Sequence, residues 1–91
     1  MDETLDEVGI GWDNWKAARV EIRGNRLILT SKKGEVNQTP SYEVTSFRKQ
    51  TGRIVKNVVI ERGNRASVVL WCKDKNHVER VYDAVKKWAL S

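Results

Sequence analysis

Apolar and polar positions alternate through much of this chain. Ala18, Val20 and Ile22 alternate with Arg19, Glu21 and Arg23, and a period of two puts apolar side chains on one face of a strand and charges on the other. Gly24-Asn25 follows, a pair that tolerates the positive φ of a two-residue hairpin, and RLILTS at 26–31 reads as the returning strand. Lys32-Lys33-Gly34 makes the next turn. Residues 35–41 (EVNQTPS) are polar and contain Pro40. Proline brings no amide to a sheet ladder, so a loop or a short edge strand is expected there. β-Branched and aromatic residues return at 42–48 (YEVTSFR), which predicts a strand. A turn at Gln50-Thr51-Gly52 and two further strands at 53–61 and 66–73 follow, the last pair joined by Gly63-Asn64. Near the start, Val8, Ile10 and Trp12 alternate with Gly9 and Gly11 as a weaker strand, and Asp13-Asn14 reads as a turn. Residues 1–7, with Asp2, Glu3, Asp6 and Glu7, read as a flexible acidic arm.

The strand at 66–73 is apolar on both sides: Val68 and Leu70 point one way, Val69 and Trp71 the other. A sheet with one face in water alternates more cleanly, so a helix or a partner is expected to cover the second face. The chain closes with helical periodicity. Asn76 and Glu79 are spaced as a capping box, and Val78, Val81, Tyr82, Val85 and Trp88 share one helical face. Short turns between strands, with a helix last, predict an α+β, mainly β fold. Its expected form is a bent antiparallel sheet or partial barrel of six to seven strands, capped by one C-terminal amphipathic helix, in a single domain over residues 8–91.

Composition narrows the function. The 91 residues carry a net charge of +5, and four of the twelve acidic residues lie in the first seven positions, so the body is more basic than the total suggests. Such a surface raises affinity for anionic partners. One cysteine, Cys72, and one histidine, His77, cannot build a zinc site. Cys72 reads as a packed thiol in an apolar run, and His77 is placed on the solvated side of the helix. No glycine-rich loop precedes the helix, and the acidic arm could not hold a catalytic geometry. A non-enzymatic protein without cofactor or metal is therefore expected. With an acidic start and no apolar run near about 20 residues, it reads as soluble and cytoplasmic, with a membrane-peripheral placement as the alternative.

The strings RLILTSKKG, YEVTSFRKQTG, IVKNVVIE and VVLWCKDKNHVERVYDAVKKW together resemble the pleckstrin-homology-like superfold, in particular small bacterial and archaeal PH or GRAM-like domains. Tyr42, Val44, Thr45 and Ser46 stand in the family's second motif, and Trp88 is similar to the tryptophan that PH domains carry on their terminal helix. The resemblance covers about residues 15–90. It implies a seven-stranded bent barrel used as a binding scaffold, some members binding phosphoinositides and many binding only proteins. Lipid-binding members carry a basic motif around a longer first hairpin loop, whereas here Arg23 and Arg26 flank only Gly24-Asn25.

Two surfaces follow as candidates. Tyr42, Phe47, Val69 and Trp71 are the expected contacts for a protein partner, docked on an apolar sheet surface with a basic border. Arg23, Arg26, Arg48, Lys49 and Arg53 are the expected contacts for anionic lipid or nucleic acid, the alternative function. The string RGNR occurs twice, at 23–26 and 62–65, as solvated hairpin tips or as anion contacts. Where the two tips lie depends on residues 35–39. If these are irregular, the tips fall at opposite ends, with Arg23 and Arg26 beside Arg48, Lys49 and Arg53, and with Lys32 and Lys33 beside Arg62 and Arg65. If they form a strand, the two arginine pairs meet. Pro40 and the polar run favour the first arrangement.

Overall fold

A computed structural model describes residues 2–11 and 19–91. The expected mainly β architecture is present: two antiparallel sheets of four strands each and one C-terminal helix. The strands are β1 (Asp2–Leu5), β2 (Gly9–Ile10), β3 (Arg19–Arg23), β4 (Arg26–Thr30), β5 (Val36–Pro40), β6 (Val44–Thr51), β7 (Lys56–Arg62) and β8 (Arg65–Trp71), followed by α1 (Lys75–Ala89). The first sheet runs β1-β3-β4-β5 and the second β2-β8-β7-β6. Trp12, Trp15, the Asp13-Asn14 turn and Ala18 lie outside the described residues.

Alternation places the core. Val20 and Ile22 of β3 and Leu27 and Leu29 of β4 are buried, as are Val58 and Ile60 of β7 and Val68 and Leu70 of β8. α1 turns Val78, Val81, Ala84, Val85 and Trp88 into the same cluster, at the period of a helix with one apolar face. Trp88 is fully buried, and its Nε1 donates to the Asn25 carbonyl oxygen at 2.7 Å. That oxygen also accepts from the Ser41 amide at 2.8 Å. One peptide group in the first hairpin tip thus ties the end of α1 to the start of the second sheet.

The N-terminal residues correct the expectation of a flexible arm at 1–7. Asp2–Leu5 is a strand paired with β3, with Leu5 opposite Val20. Two local forces hold it: Leu5 is buried in the core, and the Asp2 carboxylate accepts the Gly24 amide at 3.0 Å, satisfying a turn donor. Gly9–Ile10 then pairs with β8 in the other sheet.

Other boundaries shift for identifiable reasons. Residues 36–40 form a true strand, and Pro40 is tolerated because β5 is an edge strand and Pro40 its last residue. Tyr42 stands before β6 rather than in it, on a single 3-10 turn at Ser41–Glu43. β6 runs on to Thr51 and β7 begins only at Lys56, so Arg53 lies in the connecting turn. Helix capping also differs: Asp74, not Asn76, is the cap, and its Oδ1 accepts the His77 amide at 2.8 Å. Aspartate and asparagine two positions apart are both competent caps, and the one chosen lets His77 turn inward.

Because β5 is a strand, the chain direction reverses once more than in the favoured arrangement. Both RGNR tips consequently adjoin the Ser41–Glu43 turn. Asn25 accepts the Ser41 amide, and Arg65 Nη1 donates to Glu43 Oε2 at 3.0 Å. The predicted neighbourhoods are therefore corrected: Arg62 and Arg65 contact β5 and Glu43.

Candidate docking surface

The two copies of RGNR do different work. At the first, Arg23 and Arg26 face each other across the β3–β4 hairpin, and Arg23 Nη2 donates to Glu21 Oε2 at 2.7 Å. Both are exposed, so the like charges splay into water. At the second, Arg62 is only 6% exposed. Its Nε and Nη2 donate to the Ala66 carbonyl oxygen at 2.8 and 2.5 Å, and its Nη1 donates to Asn37 Oδ1 at 2.8 Å and Thr39 Oγ1 at 2.9 Å. Arg65 adds a bond to the Gln38 carbonyl oxygen at 2.9 Å. These two arginines fasten the β7–β8 hairpin of the second sheet to edge strand β5 of the first. Burial, and then the like charge of Arg65, lowers the pKa of Arg62, but a guanidinium stays charged throughout the accessible range.

The five cations proposed for anion binding do not form one cluster. Arg48 pairs with Glu61 at 3.1 Å. Lys49 pairs with Glu79 on α1 at 2.7 Å and lies 4.8 Å from the centre of the Tyr82 ring. The hydrogen bond with Glu79 raises the pKa of Lys49, and that with Arg48 lowers the pKa of Glu61. Arg53 sits in the β6–β7 turn, whereas Arg23 and Arg26 flank the β3–β4 turn.

The four proposed protein contacts also separate. Phe47 faces inward, with its ring centre 5.7 Å from that of Tyr82. Tyr42, 78% exposed, belongs to a separate cleft of about 420 Å³ with Glu43, Thr45, Arg62 and Arg65. Val69 and Trp71 do stand together. On β7 and β8 the inner positions Val58, Ile60, Val68 and Leu70 join the central cluster, while Val59, Val69 and Trp71 turn to the other face, where Val59 is buried, Val69 half-buried and Trp71 exposed. Val59 is directly opposite Val69, and Trp71 is opposite Asn57. Gly11 lies against this band, where an added Cβ would be 3.6 Å from Val69 Cβ. Arg48 borders it opposite Val59, and Glu61 joins Arg48 to Ser67, whose Oγ donates at 3.1 Å. The result is an apolar band on the outer face of the second sheet, with a charged margin and an indole that remains 38% exposed. Val59 is the member that sequence reasoning missed as part of this band. Its signal was the same double-sided apolar pattern, at Val58-Val59-Ile60.

Reactive groups are quiet. Burial pushes the Cys72 thiol from 9.0 up to about 11, and Asp74 adds to the rise. The thiol therefore stays neutral in the fold at a pH where an unfolded chain is already ionising. Stability from this group is fully present below about pH 9 and is lost as pH rises through about 11. At pH 8, iodoacetamide should alkylate Cys72 about a hundredfold more slowly in the native protein than in urea, from thiolate fraction alone. Equal rates would show that the thiol is not sheltered.

His77 is buried, not solvated: its Nδ1 accepts the Lys73 amide at 3.0 Å, and Nε2 lies 3.1 Å from the Asp6 carbonyl oxygen. That pairing assigns the ring proton to Nε2. Among the described residues, no group of three or more His, Cys, Asp or Glu side chains could hold a metal ion. Nor is any helix among them long and apolar enough to cross a membrane. No protein-family model matches this chain, and no curated protein matches it.

Proposed function

We propose that this protein is a non-enzymatic, PH-like interaction module that docks a protein partner on the outer face of its second sheet, in the cytoplasm. One observation carries the reading: the β7–β8 hairpin is apolar on both faces, and on its outer face Trp71 stays 38% exposed and Val69 half-buried beside a buried Val59. The partner chemistry follows from the margin. An apolar side chain would cover Trp71 and Val69, while an acidic group would compete with Glu61 for Arg48. Aromatic residues of this kind supply most of the affinity of protein interfaces.

A photocrosslinking residue at position 69, expressed in the native host, should capture a discrete partner. The same residue at position 86, on the exposed side of α1, should not. Trp71→Glu should abolish the capture, and the purified complex should hold from about 50 to about 200 mM salt, because little of its affinity comes from released counterions. Identical capture from positions 69 and 86, or a complex that dissolves with salt, would sink the reading.

A further inference from the structure

Among the described residues, the most exposed large apolar side chain is Ile54, at 90%, in the turn between β6 and β7. Val55 beside it is also exposed. The turn is closed from within: Lys56 Nζ donates to the Arg53 carbonyl oxygen at 2.6 Å, and a Cβ on Gly52 would sit 3.5 Å from the Val55 carbonyl oxygen. Ile54 is thus held outside a backbone that is folded against itself, where it contributes nothing to the core.

The charges around this tip have one sign. Between Glu43 and Glu61 the chain holds no acidic residue, while it holds Arg48, Lys49, Arg53 and Lys56. Arg48 and Lys49 are partly neutralised, by Glu61 and Glu79. Arg53 has no ion-pair partner among the described residues.

A single exposed aliphatic residue is ordinary on any surface. Two in succession at the apex of a hairpin, with cations set back on either side, is the arrangement that enters a lipid interface: apolar side chains reach the acyl boundary while cations stop at the phosphates. We propose that residues 52–56 form a membrane-docking tip, with Ile54 and Val55 entering the boundary of an anionic bilayer and Arg53 and Lys56 meeting its headgroups. An anionic bilayer is the occupant because the tip offers apolar area and positive charge together and no acceptor side chain of negative charge. The tip adjoins the Trp71 end of the band, since the Cys72 amide donates to the Lys56 carbonyl oxygen at 2.9 Å, but Arg53, Ile54 and Val55 are not members of it, so different substitutions test the two sites.

Cosedimentation with vesicles tests it, comparing phosphatidylcholine alone with phosphatidylcholine containing about 30 mol % phosphatidylserine. The protein should bind the anionic vesicles and not the neutral ones. Ile54→Glu should weaken binding by about tenfold or more, from lost apolar burial, and Arg53→Ala by about fivefold, the share of one cation at such a surface. Both positions are exposed, so melting temperatures should match the parent and crosslinking from position 69 should persist. Unchanged vesicle binding by Ile54→Glu would overturn the proposal. So would binding of a single-stranded RNA oligonucleotide as tight as that of the vesicles and indifferent to the same change, since the tip would then be a cationic surface only.

Discussion

Trp88→Ala should cost about 3–5 kcal/mol, the range for emptying a buried tryptophan site, and should lower the melting temperature by about 15 °C or more in a domain of this size. Two losses combine. The indole is fully buried against the core, and its Nε1 is one of two donors to the Asn25 carbonyl oxygen. Total stability of a small domain is about 5–15 kcal/mol, so this one change can consume most of it. Trp88→Phe separates the two losses. It keeps most of the volume and leaves the Ser41 amide on Asn25, so it should cost only about 1–2 kcal/mol. Circular dichroism melts of both variants measure this directly. An alanine variant melting within a few degrees of the parent would mean that α1 does not close the core.

Arg62→Met should be the second most damaging single change, at about 2–4 kcal/mol. Methionine fills similar space but withdraws every donor from Thr39 Oγ1 and the Ala66 carbonyl oxygen, and leaves Asn37 Oδ1 to Arg65 alone. Arg62→Lys should recover only part of the loss, because an ammonium cannot present a planar fork to three acceptors. The readout is the urea midpoint at constant slope. By contrast, Arg26→Met at the first RGNR should change stability by less than about 0.5 kcal/mol, as at an ordinary exposed position. If the two arginines respond alike, the second copy is a plain solvated turn and the two sheets are held by the core alone.

That contrast shows what the sequence can and cannot convey. Identical four-letter strings became an exposed hairpin tip and a buried clasp, since the difference lies in partners on β5, far away along the chain. One local clue existed: Arg62 continues the inward phase of Val58 and Ile60, so the two-residue period pointed it inside. Strands with clean alternation, such as β3 and β4, were legible because period and turn residues agreed. Asp2–Leu5 was not, because its stability comes from Leu5 in the core and from the Asp2 bond to Gly24, neither of which shows in an acidic string. The outer band was half legible, through Val69 and Trp71. Tyr42 and Phe47 were misgrouped with it because strand β6 starts two residues after Tyr42 and turns Phe47 toward α1. Ile54 was hidden by a misplaced turn: reading 53–61 as strand made it look like one more sheet residue.

The pairing of Gly9–Ile10 with the end of β8 has a consequence for biosynthesis. This edge of the second sheet is completed only when Leu70 and Trp71 have been made, some sixty residues after Gly9 and Ile10. Contacts so distant along the chain slow folding, because the loop they close must be ordered before it is rewarded. On the ribosome the β3–β4 hairpin can form early, yet Val8 and Ile10 wait, apolar and uncovered, until Leu70 and Trp71 have emerged. A nascent chain stalled before Val68 should therefore be captured by chaperones that bind exposed apolar segments, and one in which residues 2–91 have all emerged should not.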